Sequence, residues 1–208
     1  MSFGMVGSIE STSVLESGAA ANPTFRSITA ADLPTQTLNY WFPGTVLPPT
    51  NGSSQPLGGT GLANTVRFII FTLPFNTSIS KASIDVTTID ASQTADFGIY
   101  NSTGTSKLWS IGTGTGIGIG STGVMSATNT TVILTAGSYL FAWTESGTAG
   151  QIYTWNMNTG LYQLLASGSN YKYGTCTNTA TAGVLPASCG ALIAAASAFN
   201  VAAVMLEP

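Results

Sequence analysis

This sequence contains no histidine, and only 6% of its 208 residues are charged. The first absence excludes histidine-based nucleophilic triads, histidine metal ligation and imidazole proton shuttles. The second leaves five basic residues in the whole chain. A nucleic-acid footprint needs clustered Lys and Arg to neutralise phosphates, so nucleic acid is not an expected partner. Cysteine is nearly absent too, with Cys176 and Cys189 standing alone and no CxxC spacing that would suggest zinc. No cofactor and no metal is expected. Long apolar runs are also missing: the most apolar stretch, residues 191–206, is shorter than the roughly 20 residues that span a bilayer, and Asn200 interrupts it. The N-terminus MSFGMVGSIESTSVLES has neither a basic start nor an apolar core, so no secretory signal is read there and no membrane insertion is expected.

What is present argues for a folded chain. The hydrophobic fraction is 44%, and mean hydropathy is +0.31, on the wrong side for disorder. With so few charges the surface must be built from Ser, Thr, Asn and Gly. Such a surface suits a particle component or an extracellular module better than a cytosolic enzyme.

The chain divides in two by pattern. Residues 1–38 lack a strong β pattern. Pro23 and Pro34 bracket a segment with Phe25, Ile28 and Leu33 as its apolar points, and Thr29–Asp32 resembles a capping box for one helical turn. So short a segment cannot bury those residues alone and is expected to dock elsewhere. Residues 39–63 are a Pro/Gly-rich approach of loop or edge character. Strand patterns follow in residues 65–73, 80–88, 96–100, 107–111, 130–134, 138–144, 151–155, 161–165 and 201–206. The first is a continuous β-branched and aromatic run, fit for burial on one or both faces. Residues 130–134 and 138–144 read as a pair, with Val132 and Leu134 on one face and Tyr139, Phe141 and Trp143 on another. Short strands at this spacing predict an all-β, jelly-roll-like antiparallel β-sandwich over residues 39–208, with residues 1–38 as an extended N-terminal attachment segment.

Candidate chemistry is thin. Gly118, Gly120 and Gly123 match GxGxxG, but a strand pattern follows where a dinucleotide site needs a helix, so the match is compositional. Asp90 and Asp96 flank an apparent Ala-Ser-Gln-Thr turn, where they either converge or cap it. Lys81, Lys107 and Lys172 read as isolated surface lysines rather than as partners in a Ser–Lys dyad. Sequons at Asn51, Asn76, Asn101 and Asn129 fall within chance for this composition. Trp109, Trp143, Phe68, Phe71, Phe97 and Phe141 sit in strand patterns as core. Tyr153, Trp155 and Tyr162, with Tyr171 and Tyr173, cluster among Asn and Gly. Such aromatics stack on sugars at binding surfaces, or else pack at a core or subunit interface. No catalytic residue is assigned. Cys176 and Cys189 are either a disulfide closing a loop or two small buried thiols.

Two stretches carry a resemblance. PTFRSITAADLP, Pro23–Pro34, is similar to a segment that joins modules in tail-fibre and related structural proteins of tailed bacteriophages, reading roughly P-x-F-R-x-L-x-A-x-D-[IL]-P with Ile28 at the Leu position. The pieces ASIDVTTIDASQTADFGIYNSTG and TTVILTAGSYLFAW, within residues 68–143, resemble the jelly-roll-like head of such proteins. The resemblance covers about half the chain and implies a non-enzymatic virion protein: a tail fibre or fibre-like appendage, made in the host cytoplasm and built into the particle. It also implies a homotrimer attached to other virion proteins through residues 1–38, its head facing a host surface glycan; residues 150–208 lie outside the resemblance, and the receptor-binding candidates Tyr153, Trp155 and Tyr162 come from the aromatic pattern alone. A capsid decoration protein without a receptor is the alternative, and a small polysaccharide depolymerase or esterase a more distant one.

Overall fold

A computed structural model describes residues 63–112, 116–155, 173–194 and 201–208, together with the backbone of five short strands before them. It is all-β, with no helix among the described residues. Two sheets, antiparallel apart from one short pair, form a sandwich, as the strand spacing predicts.

The early strands are β1 (Ser13–Glu16), β2 (Thr24–Ser27), β3 (Thr35–Gln36), β4 (Tyr40–Trp41) and β5 (Gly52–Gln55). β1 and β2 form a separate antiparallel pair, so part of residues 1–38 is β despite its weak pattern. β3 pairs in parallel with the start of β7, joining that stretch to the sandwich. The capping-box turn at Thr29–Asp32 lies outside the described residues.

The body follows as β6 (Arg67–Leu73), β7 (Asn76–Thr88), β8 (Asp90–Asn101), β9 (Lys107–Ser110), β10 (Ile117–Ile119), β11 (Gly123–Leu134), β12 (Gly137–Glu145), β13 (Gln151–Trp155), β14 (Tyr173–Cys176), β15 (Leu192–Ala194), β16 (Val201–Ala202) and β17 (Met205–Glu207). One sheet, here the inner sheet, runs β10-β8-β12-β6-β14-β15 with β9 on β8. The other, the outer sheet, runs β16-β13-β7-β17-β4 with β11 and β3 on β7 and β5 on β13. From β6 onward the chain changes sheet at β6–β7, β7–β8, β10–β11, β11–β12, β12–β13, β13–β14 and β15–β16.

One expected pairing is corrected. β11 and β12 are consecutive and both alternate, but they do not pair with each other. β11 lies along β7 in the outer sheet, and β12 lies between β6 and β8 in the inner one. Their core faces are as read: Val132 and Leu134 meet Tyr139, Phe141 and Trp143 across the sandwich rather than along a ladder.

The inner sheet is buried on both faces. Ile69, Phe71, Phe97, Ile99, Phe141 and Trp143 point into the space between the sheets, against Ile79, Ile84, Val86, Ile152 and Leu206 of the outer sheet. Their neighbours Phe68, Tyr100, Leu140 and Ala142 point the other way, into a second cluster with Ala180, Leu185, Cys176 and Cys189. This explains the apolar run of β6: both of its faces are largely covered, with only Thr72 exposed. Each such large side chain contributes roughly 1.5–3 kcal/mol by leaving water. The six core aromatics named from the sequence are all buried.

Residues 177–191 cover the second cluster almost without regular structure. Their backbone is held by side chains of the sheet beneath. The Tyr100 hydroxyl donates to the Pro186 carbonyl at 2.6 Å, and the Lys107 ammonium to the Leu185 carbonyl at 2.7 Å. This loop is therefore a third layer, and no periodicity in the sequence marks it.

Candidate functional site

The aromatic cluster falls on β13 and beyond. Ile152 and Thr154 face the core and are buried. Tyr153 alternates with them, so it stands half-buried on the outer face of the outer sheet, opposite Ser54 of β5. Its carbonyl accepts the N–H of Ala203 at 3.1 Å. The backbone of Trp155 closes the same strand, opposite Gly52 and Val201. Tyr162, Tyr171 and the strand read at 161–165 lie outside the described residues, as does Lys172. Tyr173 is a buried core residue on β14, not a surface aromatic.

The outer face around β7 carries hydroxyls and few charges. β11 presents Val124, Ser126, Thr128, Thr130 and Ile133 outward, with Val124 76% exposed. β11 has twelve residues, no charge and no proline. Among the described residues its only strand partner is β7. A bulge between Thr128 and Val132 is held from the inner sheet: the Trp109 indole N–H donates to the Thr130 carbonyl at 3.1 Å, and the Asn129 amide donates to the Ser110 carbonyl.

The carboxylates are tied to neighbours. Ala-Ser-Gln-Thr is not a turn but part of β8, so Asp90 and Asp96 sit on one continuous strand and do not converge. Asp90 accepts the N–H and hydroxyl of Ser92 at 3.1 and 2.7 Å, the capping role. Asp96 is fully buried. It accepts the N–H of Gly112 and of Leu185, each at 2.8 Å. Burial pushes its pKa above the ordinary carboxylate value, against those two amides, Lys107 and Ser110. Glu145, also buried, accepts from the Gln93 amide at 2.5 Å and lies beside Arg67.

Two of the three lysines are not isolated. Lys107 is bonded into the covering loop, as above. Lys81 pairs with Glu207 of β17 at 3.0 Å, and the Ser83 hydroxyl donates to the same carboxylate at 2.5 Å. The sequence held no signal for this Ser–Glu–Lys contact, because 124 positions separate Ser83 from Glu207. The Ser83 hydroxyl and, to a smaller degree, Lys81 hold Glu207 below the usual carboxylate range. The contact ties β17 to β7, beside the ladder the two strands form.

Cys176 and Cys189 lie together in the second cluster, both buried and present as unbonded thiols. No group of three or more Cys, Asp or Glu suited to a metal occurs among the described residues, and no helix of the described residues is long and apolar enough to cross a membrane. No family model matches this chain, and no curated protein or solved structure matches it with significance.

Proposed function

We propose that this chain is a non-enzymatic structural protein of a bacteriophage particle, a tail fibre or fibre-like appendage. Residues 1–38 attach it to other virion proteins, and the β-sandwich head assembles as a homotrimer and contacts a host surface glycan. The observation that carries this reading is the PTFRSITAADLP segment standing ahead of an all-β sandwich. Three features support it. The outward face is hydroxyl-rich, with Lys81, Asp85 and Glu207 as its charges on β7 and β17, which suits contact with neutral sugars through hydrogen bonds and aromatic stacking. Tyr153 stands on that face, on a strand whose other side is locked in the core. β11 offers a long uncharged strand of the kind that sister chains cover on assembly. The carboxylates described above are engaged with backbone amides, amides of side chains or Lys81, which weighs against the depolymerase alternative.

Two measurements on the full chain test the reading. Mass spectrometry of particles purified from a lysate of cells carrying the gene should find the chain, and light scattering of the purified protein should give three chain masses. Particles that lack the chain would overturn the virion assignment. A trimer that does not adsorb to host cells would transfer the protein to the capsid-decoration alternative.

A further inference from the structure

The chain leaves β14 at Cys176, crosses the outer face of the inner sheet, and returns at Cys189 before pairing with β14 again through β15. The two limbs of this loop are drawn together at its neck. The Thr177 N–H donates to the Ala191 carbonyl at 2.9 Å, and the Asn178 N–H to the Cys189 carbonyl at 3.0 Å. The Asn178 amide donates to the Ser188 carbonyl at 3.0 Å. Inside the neck the two thiols lie in one buried cluster with Tyr100, Leu140 and Leu185. Cys189 is fixed from a third direction by its own N–H, which donates to the Gly104 carbonyl at 2.7 Å.

The loop carries one isolated bridge, Thr181 to Val184, and no strand or helix. Its middle is pinned to the sheet by Tyr100, Lys107 and Asp96, while its two ends are held together at the neck by hydrogen bonds without a covalent link. That is the geometry in which a crosslink between the ends constrains the unfolded chain while requiring little change in the folded one.

We propose that Cys176 and Cys189 form a modification site: a disulfide between them closes the neck of the loop and fixes it over the sheet. The oxidant is a small-molecule disulfide of the glutathione class. One cysteine thiolate attacks it and releases one glutathione thiolate, giving a mixed disulfide on the protein. The second cysteine attacks that protein sulfur, forming the Cys176–Cys189 bond and releasing the second glutathione. Two protons and two electrons leave the protein, and one glutathione disulfide becomes two thiols. The hydrogen bond to Cys189, with burial, pushes the Cys176 thiol well above its ordinary value. Attack is therefore slow in the closed fold and fast when the neck opens or before the loop docks.

The full-length protein is purified with reductant, then equilibrated with a mixture of oxidised and reduced glutathione, both as folded protein and after refolding from denaturant in the same mixture. Acid quenching, alkylation under denaturing conditions and peptide mapping read the thiols. The expected product has lost two hydrogens, carries no alkylated cysteine and yields a linked 176–189 peptide. It melts about 5–10 °C higher than the reduced protein, following the stabilisation of loops of this size. Cys176→Ser and Cys189→Ser remove the response of the melting temperature to the redox mixture. Recovery of two alkylated thiols after refolding in the oxidising mixture would overturn the proposal. So would glutathione retained on either cysteine without the internal link. The comparison of oxidised with reduced wild type does not depend on whether the variants fold.

Discussion

The buried carboxylate of Asp96 accepts the backbone N–H of Leu185, 89 positions away, at 2.8 Å. Its other oxygen accepts the N–H of Gly112. One side chain on β8 thus fixes both the covering loop and the approach to β10. An asparagine there keeps one acceptor and turns an N–H₂ toward the other amide. Asp96→Asn is expected to cost about 1–3 kcal/mol, the penalty for a buried donor left without a partner. The pH dependence has a defined sign. Burial raises the Asp96 pKa above its ordinary 3.8, so the native state binds this proton more tightly than the unfolded chain. Its contribution favours folding at low pH and is lost as pH rises through the raised pKa. The stability gap between wild type and Asp96→Asn, measured by urea unfolding, should widen from pH 7 to pH 4. A gap that narrows over that range would contradict the assignment.

Trp109 carries a second long-range bond, from β9 in the inner sheet to the bulge of β11 in the outer one. Trp109→Phe preserves most of the ring packing and removes the N–H, leaving the Thr130 carbonyl without that donor. A loss of about 1–3 kcal/mol is expected, read as a fall of roughly 3–10 °C in Tm for a chain of this size. An unchanged Tm would show that water or another donor serves Thr130 equally well.

Two strand glycines, each set between large apolar residues, have opposite tolerances. A Cβ at Gly98 would stand 2.6 Å from the Trp109 carbonyl oxygen and 2.7 Å from the Ser110 Cβ. The obstacle is the paired backbone of β9, which cannot step aside without breaking the ladder. At Gly118 a Cβ would meet nothing within 4 Å. Gly98→Ala is expected to destabilise by about 1–3 kcal/mol or more through overpacking, and Gly118→Ala to stay within about 0.5 kcal/mol of wild type. Thermal melts of the two variants side by side decide the matter.

Those glycines mark the limit of what periodicity reveals. Alternation predicts which side chains of β7 and β12 face the core, because a strand's period of two is a local property. The unbroken run of β6 likewise signals burial on both faces. Alternation does not say in which sheet a strand lies, and so β11 and β12, adjacent in sequence, were expected to pair and instead oppose each other. It is blind to residues 177–191, whose burial rests on side-chain bonds to Tyr100, Lys107 and Asp96 rather than on any repeat. Asp96 itself reads in the sequence as one of two carboxylates flanking a turn, either converging with Asp90 or capping it. Its role became clear once Leu185 and Gly112 were seen to converge on it. The functional candidates are the least legible part, since Tyr153 is placed on an open face by strand parity while its meaning depends on what meets that face.

The contact among Ser83, Glu207 and Lys81 ties the last strand to β7, and its parts are unequal. Ser83 is buried, and its hydroxyl is the largest influence holding the Glu207 pKa below 4.5. Lys81 is about a third exposed, and water screens its charge. Ser83→Ala is therefore expected to cost about 1 kcal/mol and Lys81→Met less than about 0.5 kcal/mol. Since the folded-state pKa of Glu207 is lowered, its stabilisation is fully present above its ordinary value of 4.5 and fades as pH falls through the lowered one. This is the opposite sign from Asp96, so the two are separated by measuring each variant against wild type at every pH. Glu207→Gln should destabilise at pH 7, and its gap to wild type should shrink as pH falls through the lowered folded-state pKa. An equal loss at pH 3 and pH 7 would mean that the shape of the side chain, rather than its charge, holds β17 to β7.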